Sequence, residues 1–200
     1  WYGGGMPDHA DFLHRYGPWA LITGASSGIG EELARKLAAR GMQLILVARR
    51  KDRLDALAAE LARDHAVLVE VVALDLARRD FYPELDRVTR DLDVGLVINN
   101  AGYGDKGDLI DSDLARQLHI LDVNCAATLI LCHAFGKRLA ARGRGGLIIT
   151  SSTAAFQGLP FGAHYAATKG YGLQLAEGLD FELRDKGVDV MALCPGPTAT

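Results

Sequence analysis

The sequence has few cysteines, no block of basic residues, no apolar run of membrane-spanning length and no internal repeat. Each shortage excludes something. Cys125, Cys132 and Cys194 are the only three cysteines in 200 residues. They are odd in number, lie in apolar surroundings and match no zinc spacing. They therefore read as buried free thiols in a reducing cytosol rather than as a disulfide framework or a metal centre. The net charge of -3 gives no electrostatic reason to expect nucleic acid, and no lysine- or arginine-rich block suggests a membrane surface. The longest apolar runs, such as "LILVA" at 44–48, are strand-sized, far below the roughly 18 residues of a spanning helix. No charged segment followed by an apolar one opens the sequence, so no secretory signal is expected and the expected location is cytoplasmic.

What is present is 49% apolar residues, enough for the full core of one globular domain. The first five residues, "WYGGG", precede Met6 and read as an expression remnant within an N-terminal extension over 1–18. From Trp19 onward, short β-branched or leucine-rich runs alternate with longer helical patterns. The expected strands are 19–23, 43–48, 67–74, 94–99, 146–151 and 188–193, and the expected helices 28–40, 50–64, 80–91, 112–142 and 163–186. Leu54, Leu57, Ala58 and Leu61 put one apolar face on the helix at 50–64. Gly41 and Gly187 fall where helix C-caps belong. Strands apolar almost throughout suit a sheet covered on both faces, and strand–helix alternation implies right-handed parallel crossovers. The expected fold class is α/β, a single doubly wound parallel sheet of the Rossmann type, whose ligands bind at the carboxyl ends of the strands.

Those ends carry the polar chemistry. "TGASSGIG", Thr23 to Gly30, leads from the first strand into a helix. Gly24, Gly28 and Gly30 leave the backbone open, and the helix N-terminus offers N–H groups to a phosphate. After the second strand comes "VARRK". Ala48 supplies no carboxylate for the ribose hydroxyls of NAD, whereas Arg49 could meet a 2′-phosphate; the same run also fits the solvated start of a helix. Asp75 could accept from an adenine amino group. Asn99 and Asn100 could tie neighbouring strands, and Gly102 could let the backbone approach a ligand. Ordinary turn chemistry accounts for these residues equally well. The stretch "SSTAAFQGLPFGAHYAATK" places Tyr165 and Lys169 four residues apart on one helix face, downstream of Ser151 and Ser152. An ammonium near a phenol favours phenolate, a set suited to moving a proton on or off a carbonyl oxygen.

With "TGASSGIG", "NNAG", Asn124 in "LDVNCA", Ser152 ahead of Tyr165, "YAATK" and "PGPTAT" in this order, the sequence resembles the classical short-chain dehydrogenase/reductase family from Trp19 to Thr200. The resemblance implies Tyr165 as general acid or base, with Lys169 lowering its pKa and binding the nicotinamide ribose. It implies that Ser152 polarises the substrate oxygen and that Asn124 holds a water linking Lys169 to solvent. Gly24, Ser26, Ser27, Gly28, Ile29 and Gly30 would cradle the pyrophosphate. Asp75 and Leu76 would flank the adenine, and Asn100, Ala101 and Gly102 would lie along the cofactor. Pro195, Gly196, Thr198 and Thr200 would approach the nicotinamide, and no metal is expected. NADP(H) is expected over NAD(H) because of Arg49, although Ser27 stands where NADP-preferring members often carry a basic residue. The family continues past "PGPTAT" with a helical segment over the substrate and a last strand, so both are expected to be missing here. The implied activity is reduction of a small-molecule carbonyl, or the reverse. A nucleotide-binding sensor without catalysis, or an epimerase or dehydratase, is the alternative. Leu118, Leu121, Ala126, Leu129 and Leu131 make the long helix apolar over much of its circumference, which suits burial in one chain or a homodimer or homotetramer interface. His164, His119 and His133 are expected to pack or face solvent, and Tyr103 to line the cleft or rest on the domain.

Overall fold

The computed structural model describes residues 9–197, so Thr198, Thr200 and the first residues, "WYGGG" among them, lie outside the described residues. Six parallel strands form one sheet in the order β3-β2-β1-β4-β5-β6. They are β1 (Trp19–Thr23), β2 (Gln43–Ala48), β3 (Val69–Ala73), β4 (Val94–Asn99), β5 (Gly145–Thr150) and β6 (Val188–Leu193). Strand order reverses between β1 and β4, and the crevice there is where such sheets bind ligands.

The sheet is buried on both faces because its residues alternate between two cores. Leu21, Ile45, Val47, Val97 and Leu147 face one side. Ala20, Ile22, Leu44, Leu46, Leu96 and Ile98 face the other. The second side is covered by α2 (Gly28–Ala38) and α3 (Lys51–His65) through Ala34, Leu37, Leu54, Leu57 and Leu61. The first is covered by α4 (Tyr82–Thr89), by the helices that follow β4, and by α7 (Ala163–Arg184), with Leu85, Leu131, Phe135, Leu139 and Leu183 buried there. Gly41 and Gly187 take left-handed φ of 71° and 74° at the turns into β2 and β6, as their positions predict. Part of the N-terminal extension is an ordered helix, α1 (His9–Tyr16), whose Arg15 makes two 2.6 Å bonds to Asp189 of β6.

Element bounds fall within two residues of those expected, and one element differs in kind. Strand β3 is shorter than 67–74, although the Leu68 carbonyl and the Leu74 N–H still bond to Leu44 and Ala48 of β2 at 2.9 Å. The predicted helix at 112–142 is three pieces: α5 (Leu114–Leu121), a π-helical segment over Asp122–Ala126, and α6 (Ala127–Arg142). Asp113 caps α5 by accepting from the Ala115 N–H at 3.0 Å. The run from Leu114 to Arg142 is long and apolar enough to cross a membrane by length and composition, but half of its most apolar window is buried within the fold.

Candidate active site

The crevice begins at the turn from β1 into α2. Gly24 and Gly28 adopt left-handed φ of 66° and 59°. A Cβ on Gly24 would lie 2.9 Å from the Ala101 Cα, and one on Gly30 would sit on the Gly24 carbonyl and 2.5 Å from the Asn100 Nδ2. These glycines therefore let three backbone segments approach as no other residue can. Ser27 starts α2 without a side-chain cap, which leaves its first-turn N–H groups open to an anion.

Thr23 and Asn100 lock the two strands on either side of the switch point. The Asn100 Nδ2 donates to the Thr23 carbonyl at 3.0 Å, and the Asn100 and Ala101 N–H groups both donate to the Thr23 Oγ1 at 3.0 Å. Asn99 does not join them. As the neighbouring strand residue it projects to the opposite face, where its Nδ2 meets the Cys132 Sγ at 3.4 Å and its Oδ1 has no partner among the described residues. The expectation of a strand tie thus holds for Asn100 and not for Asn99.

The other end of the crevice is built from β5 and α7. The Lys169 Nζ donates to the Thr150 carbonyl at 2.8 Å, and the residue is only 7% exposed. Burial disfavours its charged form and pulls its pKa down to about 8. The Nζ lies 5.8 Å from the centre of the Tyr165 ring, as two helix residues four apart on one face require. Ser151 is used structurally, its hydroxyl donating to the Lys169 carbonyl at 2.7 Å. The Ser152 Oγ accepts from the Ala154 N–H at 3.1 Å, so its own hydroxyl proton stays available to a ligand.

A cavity of about 480 Å³ joins the two ends. Gly24, Ser26, Ser27, Gly28 and Ile29 line the glycine turn, and Arg49, Asp75 and Leu76 line the far side. Asn100, Ala101 and Gly102 form the floor, and Ser152, Tyr165, Lys169, Pro195 and Gly196 the opposite end. Sequence reasoning did not assign Arg50, whose Nη2 donates to the Ser27 Oγ at 2.8 Å and the Ser26 Oγ at 2.9 Å. Its signal was the second arginine of "ARRK". Thr150, Ser151 and Val123 also line the cavity without having been assigned.

Asn124 lies behind the wall, 6% exposed, in the π-helical segment. Its Nδ2 donates to the Tyr103 carbonyl and the Thr168 Oγ1, both at 2.9 Å, and its Oδ1 accepts from the Tyr103 N–H at 3.1 Å. Both amide protons are therefore taken, so the side chain braces the site, and the Asn124 main-chain carbonyl accepts from the Thr128 hydroxyl at 2.9 Å. Tyr103 lines the cavity, and its hydroxyl meets the His119 Nδ1 at 2.7 Å, a pairing that separation in sequence hides. The His164 Nε2 meets the Gln117 carbonyl at 2.9 Å, turned toward α5, and His133 is exposed. Among the described residues no cluster of three or more His, Cys, Asp or Glu could hold a metal ion.

The family model described as short chain dehydrogenase matches residues 18–200. The 7beta-hydroxysteroid dehydrogenase of Clostridium sardiniense is 35% identical over 190 residues, covering 95% of this chain and 73% of that enzyme. The inactive hydroxysteroid dehydrogenase-like protein 1 of Homo sapiens is 30% identical over 200 residues, and its match covers 98% of this chain and 60% of that protein. Among solved structures, a short-chain dehydrogenase from Sphingobium yanoikuyae in complex with NADPH superposes with a TM-score of 0.87 at 37% identity, covering 91% of this chain and 72% of that one. On its motifs, its strand order and these matches, the chain belongs to the short-chain dehydrogenase/reductase family, a family of oxidoreductases acting on CH–OH and C=O groups that also includes the inactive relative above.

Proposed function

We propose that the chain carries out NADP(H)-dependent reduction of a small-molecule ketone to an alcohol, or the reverse, with Tyr165 as the general acid or base. The observation that carries this reading is the single cavity with an open glycine turn at one end and Ser152, Tyr165 and Lys169 at the other. The residues fit a dinucleotide: a Cβ on Gly24 or Gly30 would close the cradle, and the uncapped start of α2 suits a pyrophosphate. Gly24, Ser26, Ser27, Gly28 and Ile29 would hold that group, with Asp75 and Leu76 beside the adenine. Bound nicotinamide supplies or accepts the hydride.

The chain's own part is orientation and proton handling. Ser152 donates its hydroxyl proton toward the substrate oxygen, where negative charge develops. Tyr165 gives that oxygen a proton in reduction and removes it in oxidation. The Lys169 ammonium, when charged, stabilises the phenolate left behind. For the 2′-phosphate, Arg50 is better supported than Arg49 alone. Its guanidinium already rests on the two serine hydroxyls of the glycine turn, and Ala48 places no carboxylate there.

Phe156, Leu159 and Phe161, in the segment between Ser152 and α7, are 68%, 41% and 65% exposed. With a hydroxysteroid dehydrogenase among the relatives, this favours a bulky apolar ketone. A cytoplasmic location and a homodimer or homotetramer belong to the same reading. Leu118, Leu129 and Phe181 are exposed on α5, α6 and α7 by 51%, 48% and 81%, while Leu131 is spent on the core. Light scattering at micromolar concentration is expected to give a dimer or larger, and cell fractionation a soluble pool.

The relative described as inactive gives weight to one other reading, a nucleotide binder without catalysis. The intact Tyr165–Lys169 pair argues against it. Following nicotinamide absorbance with cyclic, aromatic and short-chain ketones separates the two. Turnover with NADPH and a bulky ketone is expected. Binding of NADPH without turnover of any carbonyl or alcohol would favour the binder, or an epimerase or dehydratase.

A further inference from the structure

The Tyr165 hydroxyl makes no hydrogen bond within the chain among the described residues, so packing alone aims it. The packing partner is unusual. An ideal Cβ on Gly104 would lie 2.5 Å from the Tyr165 Cδ2, 2.8 Å from its Cγ and 3.2 Å from its Cβ. The Gly104 backbone therefore lies directly against the root of the ring. Gly104 is not among the glycines with positive φ, so glycine is needed there for space and not for backbone conformation.

The loop cannot easily recoil from the ring. Tyr103, its neighbour, has its N–H and its carbonyl both bonded to the Asn124 amide, and its hydroxyl to His119. The same amide donates to the Thr168 Oγ1 at 2.9 Å, which donates to the Tyr165 carbonyl at 2.8 Å. Loop and helix are thus both fixed to Asn124. Gly102 is held to the same standard: a Cβ there would lie 3.0 Å from the Asn124 Oδ1 and 3.1 Å from the Lys169 Nζ.

We propose that Gly104 is a positioning residue for Tyr165, a stop that sets the direction of the phenol and is itself set by the Asn124 brace. The inference rests on the reading of Tyr165 as the acid or base. Displacing a reacting group by about 1 Å can cost about 100-fold in rate. Gly104→Ala is therefore expected to lower kcat about 30- to 100-fold, with the NADPH Kd within about twofold of wild type. Gly178→Ala, where an added methyl meets open space, is the control and should leave kcat unchanged.

A readout independent of turnover keeps the two readings apart. In protein labelled with 3-fluorotyrosine, the 19F resonance lost in Tyr165→Phe identifies this ring. Gly104→Ala should shift that resonance, and Gly178→Ala should leave it in place. If Gly104→Ala does not fold, Thr168→Val decides. It breaks the link from Asn124 to Tyr165 without a large added side chain, and should lower kcat about 5- to 10-fold and shift the same resonance. A wild-type protein inert toward carbonyls, with the resonance shifted in Gly104→Ala, would remove the catalytic reading and keep the positioning. An unmoved resonance, with kcat within threefold of wild type wherever there is turnover, would overturn the positioning.

Discussion

The Lys169 ammonium rests 2.8 Å from the Thr150 carbonyl oxygen, in a setting that leaves the residue 7% exposed. One hydrogen bond does not replace the water removed, so burial is the leading cause of the fall in its pKa from 10.5 to about 8. The unfolded chain keeps the proton to about 10.5, so between about 8 and 10.5 the unfolded state binds more protons than the native one. Stability from this group therefore rises with pH across that window, by on the order of 3 kcal/mol in total. Lys169→Met removes the titration. Urea unfolding of cofactor-free protein at pH 7 and pH 10 should show wild type gaining stability relative to Lys169→Met, while the variant loses activity.

Arg50 bridges Ser26 and Ser27, so its loss should be felt where a 2′-phosphate would sit. Arg50→Ala is expected to weaken NADPH binding about 10- to 100-fold, the scale of one charge-assisted contact, and to change NADH binding about twofold or less. Titration of protein fluorescence with each nucleotide checks this. Equal losses for both would assign Arg50 to bracing the glycine turn.

The stitch between Thr23 and Asn100 should carry stability as well as the cofactor site. Asn100→Ala removes the 3.0 Å bond to the Thr23 carbonyl and is expected to cost about 1–3 kcal/mol in urea unfolding. Gly30→Ala forces a methyl onto the Gly24 carbonyl, and should abolish nucleotide binding and destabilise by at least about 1–3 kcal/mol.

The fold was legible because its signals are local. Apolar runs of strand length, the face of Leu54, Leu57 and Leu61, and the turns at Gly41 and Gly187 all report their own conformation. The ends of the crevice were legible too, since the glycine turn and the Tyr165–Lys169 spacing are each short in sequence. What stayed hidden depends on distant partners. Nothing in "DVNCA" marks a π-helical break, because Asn124 is held by Tyr103 and Thr168, 21 and 44 residues away. The bond between Tyr103 and His119, the split between Asn99 and Asn100, and the approach of Gly104 to Tyr165 arise only once the strands and helices are assembled.

The central claim is that the phenol of Tyr165 handles the proton in a cavity that separately holds the nucleotide. Single-turnover nicotinamide absorbance, with NADPH and a bulky ketone, tests it most directly in Tyr165→Phe. The account predicts a rate at least about 1,000-fold below wild type, with the NADPH Kd unchanged within twofold. A rate within about tenfold of wild type would contradict it.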